Sequence, residues 1–431
     1  MKLLFINPPV SHDCLYGQWD MSELKSTSPP IGLLSIAAYE REKKNEVMII
    51  DAMAENLSFK QIAERVKKFM PDTVGLTAMT IQMESASRIA SFIKTLYPFI
   101  KVILGGSHVT ALPYETSRKY SHFDDYIIGE WEQYDRLDDL PFPAFDLIDF
   151  SKYRLSPFGT KSSHSVGLIT SRGCPGKCTF CDRSVFGNKV RMHSASYVIA
   201  LMDKLNREHG VSDFLFYDDL FVAHRKRLIE ICYELKNRNY TWSCCARVDS
   251  VQADTLAMMK EAGCWLIEFG IESGSQKMLD FMKKGITIEK AEEAIRLTKK
   301  AGIASKGNFI IGHPGETRET LEGTLRFIRK TQLTYFQHTF FTPLPGSEAY
   351  AFADNYGIRS GSWDRYNTFA INYVPNGLTK EDLLHYSKKM WKAFYLRPRT
   401  IINQLTNIRS RDDISRLTKG AKTFVKTVWK R

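Results

Sequence analysis

The sequence predicts an α/β protein with two parallel-sheet units and a helical end. Three observations carry that expectation. Short apolar strand candidates alternate with helical stretches over the first 130 residues and again from Val166 to Phe341, the pattern of parallel sheets covered by helices. Residue types that bind ligands cluster where those strands end. From Leu378 onward the pattern is helical only. At 431 residues the chain has room for two or three domains.

In the first unit, strands read as Lys2–Asn7, Glu46–Asp51, Thr73–Thr77, Lys101–Gly105 and Asp125–Ile128. Helices read as Ile31–Lys43, Phe59–Phe69, Gln82–Tyr97 and Pro113–Lys119. This is a doubly wound, flavodoxin-like sheet, which binds ligands outside the carboxyl ends of its strands. The loops expected there are Asn7-Pro8-Pro9, Ser28-Pro29-Pro30-Ile31-Gly32, Thr77-Ala78-Met79-Thr80, Gly105-Gly106-Ser107-His108-Val109-Thr110 and Gly129-Glu130. Each alone reads as a turn; together they predict a ligand crevice. The proline-aromatic run Leu140–Phe145 marks a linker. Boundaries are placed at 1–135 for this unit, 136–164 for the linker, 165–350 for the central unit and 351–431 for the helical region.

Central strands read as Val166–Thr170, Asp213–Tyr217, Thr241–Ala246, Trp265–Gly270, Ser305–Gly312 and Thr334–Phe341. Helices read as Ala195–His209, Lys226–Asn237, Asp254–Ala262, Ile288–Ala301 and Thr317–Thr331. Six such units fit a partial (β/α)6 barrel, with chemistry at the carboxyl ends of its strands. There lie three cysteines, Asp218-Asp219, Arg247, Glu272-Ser273-Gly274, Gly312-His313-Pro314-Gly315-Glu316 and Pro343-Leu344-Pro345-Gly346-Ser347.

The last 80 residues carry a capped helix start at Thr379. Trp363, Tyr366, Trp391 and Tyr395 read as core aromatics, with a substrate pocket as the alternative. Net charge is +12, and from Arg397 onward ten Lys/Arg face two Asp. Ile401, Leu405, Ile414, Leu417 and Phe424 recur at helical spacing in that tail. It is expected to dock on the protein, with peripheral contact to an anionic membrane as the alternative. No apolar run reaches the ~18 residues of a spanning helix. Pro8-Pro9 cuts the N-terminal apolar run too short for a signal sequence, so a reducing cytoplasm is expected. No nucleic-acid-binding motif occurs, and none of Cys14, Cys232, Cys244, Cys245 and Cys264 has second-cluster spacing.

The central cysteines are Cys174, Cys178 and Cys181, spaced C-x3-C-x2-C on a glycine-containing loop. Three thiolates on one loop can hold three corners of a cubane and leave the fourth iron open. A zinc site needs a fourth ligand, and His193 stands at no usual zinc spacing. A disulfide framework does not suit a long chain with eight dispersed cysteines.

With Phe180 before the last cysteine, the motif resembles that of the radical S-adenosylmethionine (SAM) superfamily. The Gly-Ile-Glu272-Ser273-Gly segment and Gly307–Gly312 extend the resemblance across residues 165–350. It implies that Cys174, Cys178 and Cys181 ligate a [4Fe–4S] cluster. It further implies SAM contacts from Glu272, Ser273, Arg247, Asn308, Gly312 and the acidic pair Asp218 and Asp219. The Ser-Pro-Pro-x-Gly, Gly-Leu-Thr-x-x-Thr and Gly-Gly-x-His-x-Thr segments resemble the cobalamin-binding domain that precedes many such barrels. That resemblance implies cobalamin contacts from Pro8, Pro9, Ser28, Pro29, Thr77, Thr80, Gly105, Gly106, His108 and Glu130. The D-x-H-x-x-G signature that supplies a cobalt-ligating histidine is absent, since His12-Asp13 has the wrong order, so base-off binding is implied. Gly129-Glu130-Trp131-Glu132 passes within about ten residues into the linker, so the end of the first unit reads as trimmed.

The expected function is a cobalamin-dependent radical SAM enzyme that transfers methyl groups to an unactivated carbon or phosphorus centre. Oxidative cyclisation or rearrangement is the alternative. A tRNA methylthiotransferase would need three N-terminal cysteines where this chain has only Cys14, and a non-enzymatic cofactor sensor would not need Glu272. A small-molecule substrate and an external flavodoxin- or ferredoxin-type electron donor are expected; the basic amphipathic tail points to a lipid-like substrate as the alternative, and with no binding motif no nucleic acid is expected. No side chain is assigned as a catalytic acid or base.

Overall fold

The computed structural model describes residues 1–10, 14, 26–156, 159–162, 164–406, 408 and 411–429, with only the backbone at 406, 411, 412 and 427–429. His12 and Asp13 lie outside the described residues. In the first unit, β1 (Lys2–Asn7), β2 (Glu46–Asp51), β3 (Thr73–Thr77), β4 (Lys101–Gly105) and β5 (Asp125–Tyr126) form one parallel sheet in the order β2-β1-β3-β4-β5. The chain switches direction between β1 and β3, and a crevice opens there in such sheets. Leu4, Ile6, Val74, Leu76, Val102 and Leu104 are all buried in its core.

Two local differences from the sequence reading have clear causes. β5 pairs over two residues because the chain turns away toward Gly129, whose φ is +84°. The stretch after β4, expected as a loop, is the short helix Ser107–Ala111. Gly106 starts it with φ +104°, and a side chain there would meet the Ala78 carbonyl oxygen at 2.7 Å.

The central sheet contains β6 (Ser165–Leu168), β9 (Asp213–Phe216), β10 (Thr241–Ala246), β11 (Cys264–Glu272), β12 (Ala304–Ile311) and β13 (Tyr335–Phe340), in that order across the sheet. All neighbours are parallel, and β6 and β13 are its two edges. A short antiparallel ladder, β7 (Ser171–Arg172) with β8 (Arg191–Met192), brackets the cysteine loop. A second, β14 (Gly357–Arg359) with β15 (Tyr373–Pro375), follows the barrel.

Burial alternates strictly along β12. Phe309 and Ile311 pack outward with Phe269, Ile271 and Phe336 into the layer beneath the helices. Lys306 and Asn308 turn inward, where Lys306 Nζ lies 2.9 Å from Glu268 Oε2 of β11. The barrel interior is therefore a polar chamber and not a packed core.

The helices Lys380–Tyr395, Pro398–Thr406 and Arg411–Trp429 cover the β13 side. The first starts with a reciprocal Thr379–Asp382 capping box. Among the described residues, no helix is long and apolar enough to cross a membrane.

Candidate functional site

The cysteine loop is fixed from three sides. Gly173, at φ +92°, leads into it; a side chain there would meet Lys189 O at 2.3 Å. Thr179 N–H donates to Met282 O at 2.9 Å, and Ala349 N–H donates to Thr179 O at 2.7 Å. The Thr179 hydroxyl lies 3.4 Å from His313 Nε2, and His313 is fully buried against Phe180, Phe281 and Phe341. The segments after β11, β12 and β13 thus clamp the middle of the motif.

Gly176 lies between two of the sulfurs. A methyl group there would stand 3.2 Å from Cys174 Sγ and 3.9 Å from Cys178 Sγ. The neighbouring Cys181 thiol draws the Cys178 thiol below its usual range, with Lys284 and Arg247 adding to it against the opposing effect of burial. Among the described residues no three His, Cys, Asp or Glu side chains converge as the ligands of one metal ion. Three thiolates on one loop match three separate irons of a cubane, whereas zinc needs a fourth donor.

Beside the cysteines lies a buried ion pair. Lys284 Nζ is 2.7 Å from Glu272 Oε1, and both side chains are at most one-tenth exposed. Glu272 adopts φ +69° at the end of β11; a non-glycine residue keeps that conformation only where its surroundings enforce it. Gly270 makes the room, since a side chain there would meet Glu272 Oε1 at 2.6 Å and Lys284 Nζ at 3.0 Å. Arg247 donates to Lys284 O at 3.0 Å and pairs with Asp249 at 2.8 Å. A carboxylate, an ammonium and a guanidinium thus stand next to the loop. That donor set matches the amino and carboxylate groups of an amino acid, as SAM carries.

Other residues expected near SAM are placed differently. Asp218 is almost fully buried; it accepts from Thr170 N–H, the Thr170 hydroxyl and Ser171 N–H, and faces Arg227 at 3.9 Å. Its carboxylate anchors the start of the cysteine loop. Asp219 is exposed, and desolvation still raises its carboxyl above the usual range. Ser273 is fully buried, with its hydroxyl 3.1 Å from Thr324 Oγ1 on the helix Arg318–Lys330. Asn308 lies in the chamber, donating to Glu268 at 3.4 Å. Gly312, at φ +81°, donates its N–H to the buried Glu316 carboxyl.

At the first unit's crevice, Gly32 and Gly129 face open space where a side chain would meet nothing. Met79 and Ile128 stand half exposed beside it. Ser28, Thr77, Gly105 and Pro9 are partly exposed there. Those openings and apolar faces suit a large ring such as cobalamin. Pro8 and Pro29 are buried, and Gln82 donates to Pro8 O at 3.1 Å and to Asn7 at 2.9 Å. His108 is buried, with Nδ1 3.0 Å from the Thr80 hydroxyl and its ring 4.4 Å from Trp363. Burial and the Lys119 charge push it down to about 4. Glu130 faces the barrel, where Arg172 and Arg191 each reach it at 2.5 Å.

The two carboxyl edges face each other. Arg172, just before the cysteine loop, also reaches Glu132 at 3.2 Å and Ser35 at 3.4 Å. Tyr217, just after β9, lies near Ser28, which opposes the rise that burial gives its phenol. A side chain at Gly346 would touch both Asp182 and Ala111. Sequence reasoning missed Lys284, Arg172, Gln82 and the packing role of His313. Lys284 and Arg172 lie in no periodic pattern, and only their neighbours Gly285 and Gly173 mark a constrained backbone.

A search against family models matches the radical SAM superfamily over residues 168–328 and the B12 binding domain over residues 19–136. The chain is 34% identical to an uncharacterized methyltransferase of Pyrococcus horikoshii, over 94% of this chain and 95% of that protein. It is 26% identical to an anaerobic magnesium-protoporphyrin IX monomethyl ester cyclase of Rubrivivax gelatinosus, over 92% of this chain and 78% of that one. Its fold resembles that of OxsB, solved with aqua-cobalamin and S-adenosylmethionine bound, at a TM-score of 0.75 and 16% identity, over 99% of this chain and 71% of that one. It also resembles TsrM of Kitasatospora setae, solved with cobalamin and a [4Fe-4S] cluster, at 0.67 and 14%, over 99% of each chain.

Proposed function

The chain belongs to the radical SAM superfamily, in the branch that carries a B12 binding domain, and from that premise we propose that it methylates an unactivated carbon or phosphorus centre of a small molecule. When bound, the cluster supplies the electron that splits SAM into methionine and a 5′-deoxyadenosyl radical, and cobalamin supplies the methyl carrier. In this reading Cys174, Cys178 and Cys181 hold the cluster. Glu272, Lys284 and Arg247 orient the SAM amino acid, and Asn308 faces the chamber. Asp218 and Ser273 act through backbone positioning. Ser28, Thr77, Gly105 and Gly129 border the cobalamin face, while Thr80 and His108 support it from beneath. The electron comes from an external donor.

The observation that carries the reading is the face-to-face placement of two ligand edges. The Arg172 network ties the B12-type crevice to the strand that leads into the cysteine loop. Two ligand edges brought together in this way would keep water from a reactive radical. Similarity to the Rubrivivax cyclase favours a second reading, oxidative ring closure.

Anaerobic reconstitution with iron, sulfide and cobalamin, followed by dithionite and SAM, tests both. S-adenosylhomocysteine with 5′-deoxyadenosine supports methyl transfer. 5′-Deoxyadenosine alone supports the cyclase reading, and absence of both refutes radical SAM chemistry.

A further inference from the structure

A cavity of about 650 Å³ wraps around the edge strand β13. Successive side chains on a strand point to opposite faces, yet the cavity touches both faces of this one. Lys306 and Gln337 line it from the chamber, and Phe336, His338 and Phe340 line it from the far side. It therefore runs from the barrel interior, round the edge where Tyr395 Oη donates to Phe336 O at 2.8 Å and Phe340 N–H donates to Thr368 O at 2.7 Å, into the space beneath the C-terminal helices. There Trp391, Leu417 and Phe424 form apolar walls. Trp391 and Tyr395, expected as plain core, are lining residues.

His338 adds an independent sign of a ligand. The Trp391 indole, which can only donate, gives its hydrogen to His338 Nε2 at 3.0 Å. Nε2 is thus unprotonated and the ring proton sits on Nδ1. Burial keeps the imidazole neutral, pushing it down to about 3. That Nδ1–H is buried and has no partner among the described residues, so this wall offers a donor to a ligand oxygen.

The cavity mouth is apolar as well. Ile401 and Leu405 line the cavity and are 45% and 60% exposed. Leu396, Ile414 and Val425 extend the exposed patch over the same helices. Basic residues stand among them, including Arg399, Lys419 and Lys422. Exposed apolar side chains interspersed with cations on these helices suit an anionic bilayer surface. A freely soluble substrate would leave that patch in water.

We propose that the cavity binds the hydrocarbon chain of a membrane-derived lipid, whose polar head is drawn past His338 into the barrel beside Lys306 and Gln337. This rests on the radical SAM reading and names its substrate class. The chain lies under the C-terminal helices, and the head-proximal carbons reach the reactive centre.

The test uses the full, reconstituted chain without oxygen. Its probes are 1-palmitoyl-lysophosphatidylglycerol, titrated by calorimetry below its micellar concentration, and vesicles of phosphatidylglycerol or phosphatidylcholine in flotation. The expected results are lysolipid binding that Ala421→Trp weakens at least ten-fold, and flotation with phosphatidylglycerol vesicles that Ile401→Glu/Leu405→Glu abolishes. If Ala421→Trp does not fold by circular dichroism, Leu405→Trp supplies the block. Lysolipid binding unaffected by the filled cavity overturns the proposal, as does tighter binding of magnesium-protoporphyrin monomethyl ester in its place. SAM cleavage without any lysolipid binding overturns it while leaving the radical chemistry standing. Lysolipid binding without SAM cleavage supports it and refutes the radical reading alone.

Discussion

Replacing Gly176 by alanine separates the cluster pocket from the fold. The new methyl group would lie 3.2 Å from Cys174 Sγ and 3.9 Å from Cys178 Sγ. The first contact is a few tenths of an ångström too close, and overpacking of this kind costs about 1–3 kcal/mol. Gly176 is not among the glycines with positive φ, so alanine fits its backbone. It should stabilise the cluster-free chain by about 0.4–1 kcal/mol through the unfolded state. In that chain the Cys174 side chain is free to rotate away; with a cluster bound, its sulfur direction is fixed and the strain stays. The differential cost corresponds to roughly 5–150-fold weaker cluster retention, at about 1.4 kcal/mol per ten-fold. Iron and sulfide counts after challenge with a chelator measure this, and melting of the cluster-free chain controls for folding. Wild-type iron retention would refute the assignment of Gly176 to the cluster pocket. A lower melting temperature of the cluster-free variant would refute the argument that the fold tolerates it.

Other perturbations probe the surroundings. Lys284→Met leaves the buried Glu272 carboxylate unpaired and should cost about 3–5 kcal/mol; a double-mutant cycle with Glu272→Gln should show about 2 kcal/mol of coupling, and additive losses would deny the pair. Arg172→Met strands Glu132, whose side chain is 5% exposed, and leaves Glu130 to Arg191 alone. It should cost a similar ~3–5 kcal/mol and raise proteolysis at the linker, with Arg172→Lys recovering part because a point charge replaces the fork; unchanged proteolysis would deny an inter-unit tie. Burial pushes the Glu316 carboxyl up to about 8. Its folded state therefore holds the proton more tightly than its unfolded state, so the stabilisation is full below about pH 4 and lost as pH rises toward 8. Glu316→Gln should remove that slope, worth on the order of 5 kcal/mol; parallel pH–melting curves for the two cluster-free proteins would contradict it. Cys178→Ser should abolish iron loading and Cys245→Ser should not, by the same iron assay.

The strands were legible because they are apolar runs between turn residues. β1, β2, β3, β4 and β10 fall at the expected limits, and β12 shifts by one residue. The cysteine motif was legible because its spacing is local. Contacts that depend on which way a side chain turns were not. Asp218 and Asp219 are adjacent in sequence, yet one anchors Thr170 and the other faces solvent. Glu130 sits on the expected loop but turns to Arg172. The helix Ser107–Ala111 was hidden because its Gly-Gly start also reads as a turn. Lys284 could not be found from spacing, since its partner Glu272 lies twelve residues away across the short helix Gln276–Phe281.

The two ends of the barrel sheet give chemistry and access different places. The cysteine loop follows the edge strand β6, and the apolar cavity wraps the other edge strand, β13. In an open barrel these edges face one gap. At its carboxyl end the gap is closed by Ala349 N–H donating to Thr179 O, which joins the cysteine loop to the segment after β13. Below that bond, among the described residues, no strand pairs with β13 on its outer side, and Lys306 and Gln337 open toward the cavity. A substrate can therefore enter sideways without disturbing the cysteines or the crevice above them. Weakening the closure should uncouple the two. Thr179→Val removes the hydroxyl beside His313 but keeps the backbone bond, so it should leave iron content intact. Ala349→Pro removes the N–H donor itself and should release the loop, lowering iron retention while lysolipid binding at the far edge persists. Loss of both functions in Ala349→Pro, with an intact circular dichroism spectrum, would show that closure and access are one device and refute their separation.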